Sequence, residues 1–149
     1  MVDISDKPST SREARARGTV RMSAQALKAV VAGDLPKGEV LATARIAGIQ
    51  AAKRTSDLIP MCHPLSLTLI DVDCVADDRL PGIRIESRVR CEGKTGAEME
   101  ALTAVAVAAL TVIDMAKSAD RWMTIEGVEL VEKRGGKSGA LRRPANSRS

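Results

Sequence analysis

Ile83-Arg84-Ile85-Glu86-Ser87-Arg88-Val89-Arg90-Cys91 alternates with a period of two: Ile83, Ile85, Val89 and Cys91 point one way, and Arg84, Glu86, Arg88 and Arg90 the other. Successive side chains of a β-strand face opposite sides, so this run reads as a strand with one dry face and one charged, wet face. Leu65 to Val75 carries the same period, and Asp78-Arg79-Leu80-Pro81-Gly82 between the two runs has the composition of a turn. The pair therefore predicts an antiparallel hairpin. A sheet wet on one face needs cover on the other, and helices are the natural cover.

The flanking sequence supplies those helices. Gly93-Lys94-Thr95-Gly96 breaks the strand pattern before a helix expected over about Ala97 to Ala119, whose section Ala101 to Ile113 is almost continuously apolar. That section is too short to span a bilayer and is bracketed by Glu98, Glu100 and Asp114, so it reads as a buried helix, pressed on the sheet and with a side left for another subunit. Met123 to Lys133 returns to strand character. Upstream, Ser23 has the position of an N-cap for a helix whose face is Ala26, Leu27, Val30 and Val31 and whose end is Gly33. A second helix, about Glu39 to Ala52, carries the small-residue stripe Val40, Ala44, Ala47 and Ala51, which invites close approach of another backbone. Thr55 to Pro64 is a loop stiffened by Pro60 and Pro64, and Thr19 to Met22 reads as a short strand. The order β-α-α-β-β-α-β is that of an α+β fold with helices on one face of an antiparallel sheet. Three segments follow: a flexible N-terminal arm at 1–18, a single α+β domain at 19–134, and a Gly-rich, basic tail at 135–149.

Composition narrows the function classes. The 149 residues are 44% apolar and 28% charged, which suits one globular domain. Tyr and Phe are absent and Trp122 is the only aromatic residue, so the core must be built from Ala, Val, Leu, Ile and Met. Modules that stack bases on exposed rings are disfavoured on the same ground. The net charge of +4 lies in the tail, where Lys137, Arg142, Arg143 and Arg148 stand without an acid. The body is neutral, and neither a nucleic-acid nor a membrane partner is expected. MVDISDKPS at the N-terminus has no apolar signal-peptide core, and Cys62, Cys74 and Cys91 match no zinc or iron–sulfur spacing. A reduced, cytoplasmic setting is expected, with no metal site and no cofactor, and with Cys74 and Cys91 as small buried hydrophobes. Gly93-Lys94-Thr95 and Gly136-Lys137-Ser138 imitate a phosphate-binding P-loop, but Arg88 and Val131 stand where that motif requires its first glycine.

Two constellations could carry chemistry. His63, the only histidine, lies between Pro60 and Pro64 beside the Lys53-Arg54 pair, either as a satisfied structural group or as a working one. Asp114 lies among apolar neighbours with Lys117 three residues on. In a buried helix it is either an intrahelical ion pair or an acid/base pair with shifted pKa values. Glu98 and Glu100 in the first turn of that helix either offset its dipole or belong to a site. Glu100 and Asp114 lie within roughly 40° around the helix axis but about 21 Å apart along it. If both serve one site, that site is shared by two subunits or spans a ligand of triphosphate size.

The run Lys37-Gly38-Glu39-Val40 through Lys53-Arg54-Thr55, followed by Asp57-Leu58-Ile59-Pro60-Met61-Cys62-His63-Pro64-Leu65, resembles the cyclic pyranopterin monophosphate synthases, accessory protein C of molybdenum cofactor biosynthesis. Gly93-Lys94-Thr95-Gly96, Glu98-Met99-Glu100-Ala101-Leu102-Thr103, Asp114-Met115-Ala116-Lys117 and Gly135-Gly136-Lys137-Ser138-Gly139 extend the resemblance over about residues 2 to 139. It implies a ferredoxin-like subunit, a homohexamer built as a trimer of dimers, and an active site at the dimer interface. The implied lyase reaction takes a small molecule, a cyclised dihydro-GTP made by a radical-SAM partner enzyme, to cyclic pyranopterin monophosphate and pyrophosphate. It further implies Asp114, Lys37 and Lys117 as catalytic groups and Met61, Cys62, His63, Met99 and Glu100 as substrate-binding ones. Either Glu98 or Glu100 suits the donor edge of a guanine-like ring. Arg12, Lys53, Lys94 and Lys137 are candidates for the phosphates. Two other classes stand beside this reading. One is a non-catalytic binding module that uses the basic tail, and the other a structural oligomer with buried Asp–Lys pairs.

Overall fold

The structure is a computed structural model and describes residues 1–144. Its elements run β1 (Thr10–Arg21), α1 (Ala24–Ala32), α2 (Val40–Lys53), α3 (Thr55–Leu58), β2 (Ser66–Asp77), β3 (Gly82–Gly93), α4 (Glu98–Ala116), β4 (Thr124–Arg134) and β5 (Leu141–Arg142). The sheet order is β2-β3-β1-β4-β5, antiparallel throughout. β3 lies between β1 and β2, and β1 lies between β3 and β4. Two split β-α-β units are thus interleaved, as in ferredoxin-like α+β folds.

The β2–β3 hairpin is the one read from the alternation. Ile83, Ile85, Val89 and Cys91 are fully buried on the helix side. Each such side chain contributes on the order of 2 kcal/mol by leaving water. Ser87 occupies the fifth inward position and is satisfied there, its Oγ donating to the Ala101 carbonyl of α4 at 2.8 Å. On the wet face Glu13 accepts from Arg88 and Arg90 at 2.9 and 2.8 Å. Arg88 first, with Arg90 behind it, holds that carboxyl down to about 2.

The N-terminal expectation needs correction. β1 starts at Thr10 rather than Thr19 and is a central strand, so residues 10–18 are not an arm. Arg12-Glu13-Ala14-Arg15-Ala16-Arg17 looks uniformly polar, yet it alternates, with alanine as the apolar partner. Ala14 and Ala16 are 1% exposed beneath α4. Gly18 continues the inward row, and a Cβ there would stand 2.8 Å from Val105 Cγ1 of α4. Small residues are what let the helix lie so low.

α2 and α4 cover the sheet and pack against each other. At Gly48 a Cβ would stand 2.9 Å from the Ala104 carbonyl oxygen, which is the close approach that the small-residue stripe invites. Ser23 caps α1 by accepting from the Ala26 N–H, and Gly33 closes it at φ 73°. Val31, placed by periodicity on the buried face, is instead exposed. α4 ends at Ala116, short of the expected Ala119. The Thr55–Pro64 loop begins with the single turn α3. Cys74 and Cys91 are buried, and both thiols are pushed up by burial, Cys74 to about 11. The basic tail folds back in part. β5 pairs with Glu132 and Lys133 of β4, and Arg143 donates to the Leu130 carbonyl at 2.7 Å and pairs with Glu129. Arg148 lies outside the described residues.

Candidate active site

The two ends of α4 carry two clusters. At the C-terminal end Asp114 is not buried: its side chain is 54% exposed, while Val112, Met115 and Ala116 turn inward. Its two oxygens are divided between two lysines, with Oδ2 2.5 Å from Lys37 Nζ and Oδ1 2.8 Å from Lys117 Nζ. Lys117 comes from the next turn of the chain, where the helix ends. Lys37 comes from the α1–α2 connection, which is anchored by buried Leu35 and closed by the Gly38 N–H donating to the Leu35 carbonyl. Gly38 takes φ 81°, a conformation that glycine adopts without strain. The hydrogen bonds from Lys117 and then Lys37 hold the Asp114 carboxyl down to about 2. Asp114 is therefore a fixed anion that holds two ammonium groups side by side at the surface. The expected intrahelical pair is present, and Lys37 joins it.

At the N-terminal end a cavity of about 300 Å³ is lined by Met61, Cys62 and His63 from the proline-flanked loop and by Glu98, Met99 and Glu100 from the first turn of α4. Six of the residues expected to bind substrate thus meet in one place. Glu100 is 4% exposed. Burial pushes its carboxyl up, and neighbouring Glu98 adds to the rise. Burial also raises the Cys62 thiol, with Glu100 adding to it. Beside this cavity, and sharing Thr95, Gly96 and Glu98 with it, lies a cleft of about 810 Å³. Its cations are Lys7, Arg12, Lys94, Lys133 and Lys137. Arg12 is aimed by a bond from its Nε to the Gly93 carbonyl at 2.9 Å, and Lys94 donates to the Ser5 carbonyl at 2.6 Å. Gly136, at φ 72°, lies against the Arg12 guanidinium, which a Cβ there would displace.

Of the expected phosphate ligands, Arg12, Lys94 and Lys137 share this cleft, whereas Lys53 lines neither cavity. Lys7 and Lys133 were not singled out from sequence. Lys7 lies in what reads as an arm, and Lys133 closes a strand with nothing to distinguish it from the other charges there. Among the described residues no group of His, Cys, Asp and Glu converges as a metal site. Asp114, Lys37 and Lys117 stand apart from both cavities, at the far end of α4, about 21 Å along its axis from Glu100.

A model of the MoaC family matches residues 1–136. The chain is similar to proteins named cyclic pyranopterin monophosphate synthase. In Methylobacterium sp. strain 4-46 the identity is 60% over 140 residues, covering 94% of this chain and 88% of the relative. In Methylobacterium nodulans it is 60% over 139 residues, covering 93% and 87%. In Roseiflexus sp. strain RS-1 it is again 60% over 139 residues, covering 93% and 88%.

Proposed function

The chain belongs to the MoaC family, and from that membership we propose that it is a cyclic pyranopterin monophosphate synthase, a lyase of molybdenum cofactor biosynthesis. It converts the cyclised dihydro-GTP (3',8-cyclo-7,8-dihydro-GTP) supplied by a radical-SAM enzyme into cyclic pyranopterin monophosphate and pyrophosphate. The near-full-length likeness to synthases of that name carries the reading, and the site geometry supports it.

The substrate is a guanine-derived ring with a triphosphate, and the two joined cavities suit those parts. The smaller holds the ring, with carboxyl groups for its N–H donors. The larger, cationic one holds the phosphates. The purine-derived ring opens and recloses as a pterin, a pyran ring forms, and a sugar hydroxyl attacks the α-phosphate so that pyrophosphate leaves. Each step moves protons. Lys37 and Lys117 are the donors and acceptors, and Asp114 holds them in place while staying charged. Met61, Cys62, His63, Met99, Glu100, Glu98 and Arg12 bind.

The distance between the two clusters calls for a second subunit. Positions 100 and 114 lie symmetrically about Val107, so a two-fold axis beside Val107 of antiparallel α4 helices sets Glu100 opposite Asp114 of the partner subunit. Leu110 on α4 and Ile46 on α2 are 57% and 61% exposed, an apolar surface available for that contact. The active unit is then a dimer, three of which form the hexamer, and it works in the cytoplasm. The test supplies the cyclised GTP, made in situ by the radical-SAM enzyme, to wild type, Lys37→Ala and Asp114→Ala, with circular dichroism as the folding control. Pyrophosphate and the fluorescent oxidised pterin appear together with wild type only. A folded wild type that makes neither product overturns the reading.

A further inference from the structure

The bridge between Lys133 Nζ and Glu98 Oε1, 2.8 Å long, is mostly shielded on both sides, with the two side chains 25% and 26% exposed. Glu98 belongs to the walls of both cavities, whereas Lys133 belongs to the cationic cleft alone. The pair therefore crosses the partition from the phosphate side to the ring side. Gly96 is part of the same partition, and a Cβ on it would overlap Oε2 of Glu98. One carboxylate oxygen is thus taken by Lys133, and the other lies in space that a glycine leaves open at the junction. Two positions on, Glu100 is the more deeply buried acid, so the first turn of α4 places two carboxyl groups near each other with Lys133 on one of them. A glutamate side chain on an open helix turn has several rotamers, and an ion pair with a residue of the central sheet selects one of them.

We propose that Lys133 is a positioning residue, whose ammonium fixes the Glu98 carboxylate at the junction of the two cavities so that Oε2 accepts the N–H edge of the substrate ring. It acts on the substrate through Glu98 and not as a phosphate ligand, which separates it from Arg12 and Lys94 in the same cleft. The proposal rests on the preceding assignment of the ring to the smaller cavity. Because the carboxylate is positioned for ground state and transition state alike, its loss raises KM and leaves kcat nearly unchanged.

The experiment uses the full chain and the cyclised GTP made in situ, with Lys133→Met, Lys133→Arg, Glu98→Gln and the Lys133→Met/Glu98→Gln double variant. Pyrophosphate is added separately as a product inhibitor, and each variant's Tm is recorded. The expected result for Lys133→Met is a KM about tenfold higher with kcat within about threefold of wild type, Tm little changed, and most of the loss recovered in Lys133→Arg. In the Glu98→Gln background Lys133→Met adds nothing, because the group it acts through is already gone. Inhibition by pyrophosphate stays at the wild-type level. Weakened pyrophosphate inhibition with additive losses makes Lys133 a direct phosphate ligand and overturns the proposal. So does a loss that tracks a lowered Tm and is not recovered by arginine, or a Lys133→Met enzyme with wild-type KM. These outcomes all leave the wild type active and the functional assignment standing. A folded wild type that forms no product removes that assignment, and the proposal falls with it.

Discussion

Asp114 shows where reading by sequence neighbours fails. Ile113 and Met115 suggest burial, but on a helix they point about 100° to either side, and the neighbours that decide exposure are one turn away. Those are exposed Leu110 and exposed Lys117. The Asp114 carboxyl, held down to about 2 by Lys117 and Lys37, is ionised at neutral pH. The lowered value means that its ion pairs stabilise the fold fully above the unfolded value near 4, and that this contribution disappears as pH falls through about 2. Asp114→Asn is therefore expected to leave Tm at pH 7 within about 3 °C of wild type, since both lysines are well exposed, while turnover drops at least about 100-fold. Calorimetry beside the pyrophosphate assay checks both halves. Glu100 has the opposite sign. A carboxyl raised by burial destabilises the fold when it is ionised, fully so above its folded value, and that penalty fades as pH falls towards the unfolded value. Glu100→Gln is expected to raise Tm by about 3 °C at pH 8 and by less at pH 5, while nearly abolishing turnover. A Tm gain that does not shrink on acidification would show that burial of the charge is not the cause. The motifs named the candidate residues, and six of them line one cavity, but the environment of each depended on helix phase and on Lys37 arriving from elsewhere in the chain.

At the scale of elements, legibility follows side-chain size. The β2–β3 hairpin was readable because Ile83, Ile85, Val89 and Cys91 are large enough to stand out against arginines, and α4 because its apolar run is long. β1 was hidden because its inward row is Ala14, Ala16, Gly18 and Val20, and alanine carries little strand signal. The same small residues set the spacing of the layers. At Gly48 the obstacle to a larger side chain is the Ala104 carbonyl oxygen, a backbone atom of α4 that cannot turn aside. Gly48→Val is expected to cost about 1–3 kcal/mol, a fall in Tm of roughly 3–10 °C, by forcing α2 off α4. Thermal unfolding by circular dichroism measures it, and a Tm within 1 °C or so of wild type would mean that the two helices separate freely.

For the whole molecule, the proposed function leaves one chain with two incomplete halves. The cavities at the N-terminal end of α4 have binding groups and no paired lysines, and the C-terminal end has the lysines and neither cavity. About 21 Å of helix separates them, more than a triphosphate bridges while its ring stays in place. The two-fold axis proposed beside Val107 would join each half to its complement and create two sites per dimer. Leu110→Glu, which places a charge on the exposed face of α4, is then expected to break the α4 dimer contact and leave a smaller folded oligomer by analytical ultracentrifugation, with turnover abolished. Complementation decides the matter more sharply. Asp114→Ala and Glu100→Gln are each expected to be nearly inactive alone, since every site in either homodimer lacks one member. Co-refolded in equal amounts, they form mixed dimers in about half of the cases, and in each mixed dimer one of the two sites draws both intact residues. The mixture should recover about a quarter of wild-type turnover, and the recovered activity should fall as either variant is added in excess. If each site is built within one chain, no mixture ever holds an intact one and the activity stays at the level of the two variants.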